Sequence, residues 1–334
     1  MNKPMTSSKS QVSHKETASW RLKLGPWLIG ALILSAVILV IVSHGEIEGF
    51  AQLLRRAAPV WLLAGVILQI ATYFSTAAAW HLTLRQAGAS YSMRTLVPLG
   101  VAKLFSEQAL PSGGISGTAF FVAALSRRGV PSEISMAALL ISLISYYAAY
   151  LLAAALSLAL LWLYHAASAW IVAITIVFCI VAVVIPIGAL WLHHRGQRPL
   201  PAPFTRIPGV SRLLDMLGDA PGHLLRDGSL LSQTTLFQAS IFLLDAATLW
   251  AMLRAVGQDV SFLAAFPSFV VASMVATFGM VPLGLGTFEA TCVAMLRTLG
   301  VPLEAALMAT LLLRGFTLWL PMLPGLLLAR RELS

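Results

Sequence analysis

Residues 282–311, PLGLGTFEATCVAMLRTLGVPLEAALMATL, align without a gap onto residues 111–140, PSGGISGTAFFVAALSRRGVPSEISMAALL. The identities include Pro111/Pro282, Gly113/Gly284, Ala119/Ala290, Leu125/Leu296 and all four fixed letters of G-V-P-x-E, at Gly129 to Glu133 and Gly300 to Glu304. A shared G-V-P-x-E at the same distance from a shared P-x-G exceeds what composition alone produces. The chain therefore contains an internal duplication. In membrane transporters such repeats often run in opposite directions and enclose a substrate site where they meet. A purely architectural duplication is the alternative.

Working outward, the chain has 334 residues, 58% hydrophobic and only 10% charged, with 22 Lys and Arg against 13 Asp and Glu. That balance excludes an ordinary soluble enzyme and indicates an integral membrane protein. The formal charge of +9 does not point to nucleic acid, because the basic residues alternate with long apolar runs instead of forming one face. Cys179 and Cys292 lie inside apolar segments, which suits packing and not a disulfide or a metal cluster.

Stretches long enough to cross a bilayer are Pro26–Ser43, Pro59–Leu84, Ile134–Leu163, Ser168–Leu192, Leu231–Val256 and Ala305–Ala329. Two further apolar regions, Thr95–Leu125 and Phe262–Leu299, are broken by Pro and Gly near their middles. Non-helical backbone at membrane depth is tolerated where protein or a cavity covers it, so both are read as re-entrant hairpins. The expected fold is an all-α polytopic bundle with an inverted-topology repeat. It comprises a basic tail (1–25), a membrane domain (26–329) and a short tail (330–334). Within the membrane domain, repeat one covers about 59–163, repeat two about 231–329, and a basic loop 193–230.

With both termini inside, the tail, Arg85, Arg94, Arg127, Arg128, the loop arginines, Arg330 and Arg331 are all cytoplasmic. Only Arg55, Arg56, Arg254 and Arg297 fall outside, which satisfies the positive-inside rule. Two full crossings in each broken region would give the same sidedness. Segment 46–56 places Ile47, Phe50, Leu53 and Leu54 on one face, as in an interfacial anchor.

Charged side chains at membrane depth are costly and mark sites. Lys103 and Glu107 share a helix face at i, i+4 and form either a structural pair or part of a site. Gly284 and Gly286 permit close backbone approach, and a helix starting at Thr287 would aim free N–H groups at an anionic head group. Glu289 in its first turn is either the counter-charge of that helix end or the partner of Arg314. Arg314, within the last crossing, requires a carboxylate, from Glu289 or Asp245, or a lipid phosphate. Ser112, Gly113 and Gly114 form the matching turn of the first repeat. Asp245 is a candidate proton site. Glu133 and Glu304 read as helix-start charges, and His81 as a packing residue. No nucleophile triad, metal-ligand cluster or phosphate loop is present, so no catalytic residue, metal or cofactor is expected.

The stretch VPLGLGTFEATCVAMLRTLGVPLEAALMATLLLRGFTLWLPMLPG resembles the signature of the lysylphosphatidylglycerol synthetase transmembrane-region family, flippase-like membrane proteins. That family shows a Pro–Gly–Gly–x–Gly turn, a Glu, a Gly-Val step, then an Arg in the final helix followed by W-L-P and Gly. Gly284, Gly286, Glu289, Gly300, Val301, Arg314, Trp319, Leu320, Pro321 and Gly325 take those places, while Leu283 replaces the first glycine. T-A-F-F follows the first hairpin where many members carry charged residues. The resemblance implies the translocating part of the family without the aminoacyl-transferase part. The expected role is a lipid translocase of the bacterial inner membrane, acting on a lipid with an anionic or zwitterionic head group. A non-transporting partner of a lipid- or glycan-modifying enzyme and a small-solute transporter are the alternatives.

Overall fold

The computed structural model describes residues 57–109, 115–195, 221–278 and 284–333. The expected first crossing, the interfacial segment and most of the 193–230 loop lie outside those residues, as do Ser112, Gly113 and Gly114. Every regular element among the described residues is helical. In chain order these are α1 (Pro59–Gln86), α2 (Met93–Ala109), α3 (Ile115–Ser126), α4 (Ser132–Leu163), α5 (Ala169–Arg195) and the single turn α6 (Gly222–Leu225). There follow α7 (Gly228–Ala255), α8 (Phe262–Phe278), α9 (Thr287–Thr298), α10 (Leu303–Arg314), a π-helical stretch Gly315–Trp319 and α11 (Met322–Leu333).

Five runs are long and apolar enough to cross a membrane: α1, α4, α5 up to His194, α7, and Leu303–Glu332. Each has between 26 and 32 residues, which at about 1.5 Å per residue exceeds a hydrocarbon core of roughly 30 Å. The chain is thus an all-α multi-pass membrane protein. The two broken regions form helix pairs, α2 with α3 and α8 with α9, each packed on itself. Their members, 17 and 12 residues long, reach only about 26 and 18 Å, less than the bilayer core.

The last crossing corrects the sequence expectation, because Ala305–Ala329 is not one continuous α-helix. Pro321 has no N–H to continue the ladder, and the Leu320 N–H reaches back five residues to Gly315 O at 2.8 Å. The wider turn places a π-helical stretch inside the span. Residues 330–333, expected as tail, extend α11. Glu332 accepts from Arg128 Nη2 at 2.7 Å, and its carbonyl accepts from Arg127 Nη1 at 2.8 Å. Both bonds clamp the end of α11 to the turn after α3.

Matching positions of the two halves adopt the same turns. Gly129 (φ +81°) and Gly300 (φ +88°) sit in the left-handed region open to glycine. Behind each the chain closes identically: Val130 N to Leu125 O at 3.1 Å, and Val301 N to Leu296 O at 3.0 Å. Gly88 and Gly257 close α1 and α7 the same way, and Pro98 and Pro267 lie inside α2 and α8. For these earlier pairs the offset is 169 (257 − 88 and 267 − 98), against 171 (282 − 111) from Pro111 onward.

Helices α1 and α7, the first of each half, run antiparallel along their whole length. Ala58 N donates to Ala255 O at 2.9 Å, Ser240 Oγ to Ser75 Oγ at 3.0 Å, and Gln86 pairs with Asp227 at the far end. Gly65 lets them close up, since a Cβ there would lie 2.6 Å from Met252 Cε. In lipid, small residues and interhelical hydrogen bonds replace the hydrophobic effect as the force holding helices together. Against this pair packs α4, through Ser145 and Thr234 hydroxyls 2.6 Å apart, and α8 packs on α7. By contrast α5 packs mainly on α4 and α8 and leaves Trp170, Ile176, Val183, Val184, Ile187 and Trp191 exposed, an apolar surface suited to lipid.

Candidate functional site

The five charged side chains singled out at membrane depth fall into two separate places. The first is the junction where α9 begins and α10 ends. Glu289, in the first turn of α9, uses both carboxylate oxygens: Oε2 accepts the Gly286 N–H at 2.6 Å, and Oε1 accepts Arg314 Nε at 2.6 Å. It therefore serves both readings at once, as counter-charge of the helix end and as partner of Arg314. Arg314 lies at the last residue of α10, where the negative helix end favours a cation, with its guanidinium carbon 4.9 Å from the Phe288 ring centre. The side chains of Glu289 and Arg314 are only 3% and 11% exposed. Asp245 is not the partner of Arg314.

Gly284 fixes how the chain enters α9. Its φ is +62°, the Thr287 hydroxyl donates to its carbonyl at 3.0 Å, and an added Cβ would lie 2.6 Å from Ala276 Cβ. Gly284→Ala therefore combines a left-handed backbone, costing about 1–2 kcal/mol, with overpacking against α8, costing about 1–3 kcal/mol. Gly300→Ala meets open space and carries the backbone cost alone. The melting temperature of Gly284→Ala in detergent should fall below that of Gly300→Ala; equal values would mean that α8 yields freely at Ala276.

The second place is a cavity of about 410 Å³ between α1, α2, α4 and α7. Lys103, Glu107 and Asp245 line it. Lys103 Nζ and Glu107 Oε1 are 2.5 Å apart, with side chains 17% and 29% exposed, so this pair is open to the cavity where Glu289 and Arg314 are closed in. Gly117 makes room for it, since a Cβ there would overlap the Glu107 side chain. Asp245 lies ten residues before Ala255, about 15 Å along the helix axis. Its Oδ1 accepts the Gln69 amide at 2.9 Å, and the same amide nitrogen donates to Thr248 Oγ1 at 3.1 Å.

Further lining comes from Gln69, Thr72, Tyr73, Thr76 and Gln238, which reasoning on formal charges alone overlooked. Their signal was present: Gln69, Thr72 and Thr76 mark one face of an otherwise apolar span. Thr317, in the π-helical stretch, also reaches the cavity, so the span that ends at the buried junction borders the open site three residues later. None of Gly284, Gly286, Thr287, Glu289 and Arg314 lines it. Outside both places, the Nδ1 atom of His81 is 2.7 Å from Tyr91 O, a packing role. Cys292 is buried and Cys179 half-buried, both as free thiols. Among the described residues no three His, Cys, Asp or Glu side chains gather as metal ligands.

Residues 27–325 match the family described as lysylphosphatidylglycerol synthase TM region. A protein of Methanothermobacter thermautotrophicus, named UPF0104 membrane protein, is 22% identical over 321 aligned residues, covering 88% of this chain and 90% of that relative.

Proposed function

The chain belongs to the lysylphosphatidylglycerol synthase transmembrane-region family, and from that premise we propose that it moves a lipid between leaflets without transforming it. The observation that carries this reading is a cavity lined by charged and polar side chains inside a bundle of membrane-crossing helices. Its volume suits a head group, not acyl tails, which stay in the surrounding lipid. Lys103 would meet a phosphate and Glu107 an ammonium, so the substrate class is a phospholipid or similar amphiphile with an anionic or zwitterionic head group. Arg314, Glu289 and the start of α9 then hold the second hairpin in place and do not touch the head group.

Alternating access requires two gates. The antiparallel course of α1 and α7, with matching turns after each hairpin, supports two inverted halves. Helices too short to cross alone support hairpins that re-enter the membrane. With the basic residues on the cytoplasmic side, both termini face the cytoplasm of a bacterial inner membrane.

The test is reconstitution of the purified full chain into vesicles holding trace tail-labelled phosphatidylethanolamine or phosphatidylglycerol, followed by chemical quenching of the outer leaflet. Lipid in protein-containing vesicles should exchange leaflets well above the rate of empty ones. No acceleration with any head group would overturn translocation. Acceleration only after adding a lipid-modifying enzyme would favour the partner role.

A further inference from the structure

Asp245 is the charged group of the cavity for which the head-group reading supplies no counter-charge. Its Oδ1 is fixed by Gln69, itself held by Thr248. Neither an ion pair nor a further hydrogen bond to Asp245 is formed among the described residues. Among the described residues around it, no cation is left for Asp245. From α1 it faces Gln69 and Tyr73, and from α4 Tyr146, with Tyr147 beside it. Across the cavity on α2, the Lys103 ammonium is engaged by Glu107, and on α10 the Arg314 guanidinium is bonded to Glu289. A carboxylate at membrane depth without a cation is costly in its ionised form and far less so once protonated. It also lies on the wall of the space that, on the translocation reading, opens alternately to either side.

Resting on that reading, we infer that Asp245 is a proton-binding site that couples lipid movement to a transmembrane pH difference. Oδ2 takes one proton from the solution to which the cavity is open, and the lipid-loaded cavity switches sides only with the acid neutral. Proton and lipid leave on the opposite side and the empty cavity returns deprotonated, so one proton and one lipid move in the same direction per cycle. Gln69, itself held by Thr248, is a positioning residue that binds Oδ1 and leaves Oδ2 as the exchanging atom.

The experiment uses the same vesicles with a pH difference imposed across the membrane and the electrical potential clamped with potassium and an ionophore. For wild-type protein the steady-state leaflet ratio of the labelled lipid should shift by up to about tenfold for each pH unit imposed. Asp245→Asn keeps the size of the side chain and a group able to bond Gln69. It should still bring the lipid to an even distribution but lose the response to pH, while Asp245→Glu should regain part of it. Melting temperatures in detergent identify any variant that fails to fold; if Asp245→Asn does, Gln69→Leu serves in its place and should weaken the pH response.

A wild-type ratio indifferent to pH, or an Asp245→Asn ratio that follows pH as the wild type does, overturns the proposal while leaving translocation intact. A shift driven instead by a sodium gradient overturns it in favour of sodium. If no lipid moves under any condition, translocation falls and coupling with it.

Discussion

Glu289→Gln should destabilise the folded chain by about 3–5 kcal/mol, the cost of removing one charge of a buried ion pair. The geometry supplies the reason. Both carboxylate oxygens are in use, one on Arg314 and one on the Gly286 N–H, and both side chains are nearly sealed from the surface. The glutamine amide can keep the bond to Gly286 but no longer balances the guanidinium. Arg314→Met should cost a similar amount, leaving the carboxylate unbalanced. The double variant should be less destabilised than the sum of the two, since no lone charge remains. Unfolding of the four proteins in detergent yields the coupling directly. Additive effects, or a Glu289→Gln variant as stable as wild type, would mean that Arg314 finds compensation elsewhere. The sequence on its own leaves Glu289 a choice between the helix end and Arg314, and Arg314 a choice between a carboxylate and a lipid phosphate.

The second large effect belongs to Lys103 and Glu107. This pair is open to the cavity, so water can partly solvate whichever charge remains after substitution, and the stability cost should be small. Transport should respond far more. A charge-assisted hydrogen bond to a head group contributes about 1.5–3 kcal/mol, so Lys103→Met should slow leaflet exchange of a phosphate-bearing lipid by about 10- to 100-fold. Glu107→Gln should discriminate among lipids, slowing those with an ammonium group more than those without. Equal slowing for every head group would assign Glu107 to holding Lys103 and not to recognition. Unchanged exchange in both variants would remove the cavity from the pathway altogether.

Much of the fold is legible in the sequence because lipid reverses the usual code: apolar length alone marks α1, α4, α5 and α7, and their ends agree with the expected spans to within a few residues. Proline and glycine mark the two broken regions equally well. The interruption at 315–319 is harder to see, since proline and glycine also occur inside the unbroken α5, at Pro186 and Gly188, and only the bond from Leu320 N to Gly315 O reveals the wider turn. The duplication is visible from Pro111 onward, but its earlier half, Gly88/Gly257 and Pro98/Pro267, is hidden from an ungapped comparison by the two-residue change of offset. At the candidate site, formal charge finds Lys103, Glu107, Asp245, Glu289 and Arg314 but cannot say which of them share a space. The division into a sealed junction and an open cavity depends on how α1 and α7 lie against each other, and no local pattern encodes that.

The seam between α1 and α7 also bears on how the protein is made. Gln69 finds Thr248 and Asp245 only across separations of 179 and 176 residues. At ribosomal rates of about 5–20 residues per second, α1 waits in the bilayer on the order of ten seconds or more before its partner emerges. During that interval Gln69, Thr72 and Ser75 face lipid or a temporary helper, such as the insertion machinery or a chaperone helix. The first half is therefore born incomplete, and a chain that ended before α7 would carry this polar edge with no partner helix to cover it.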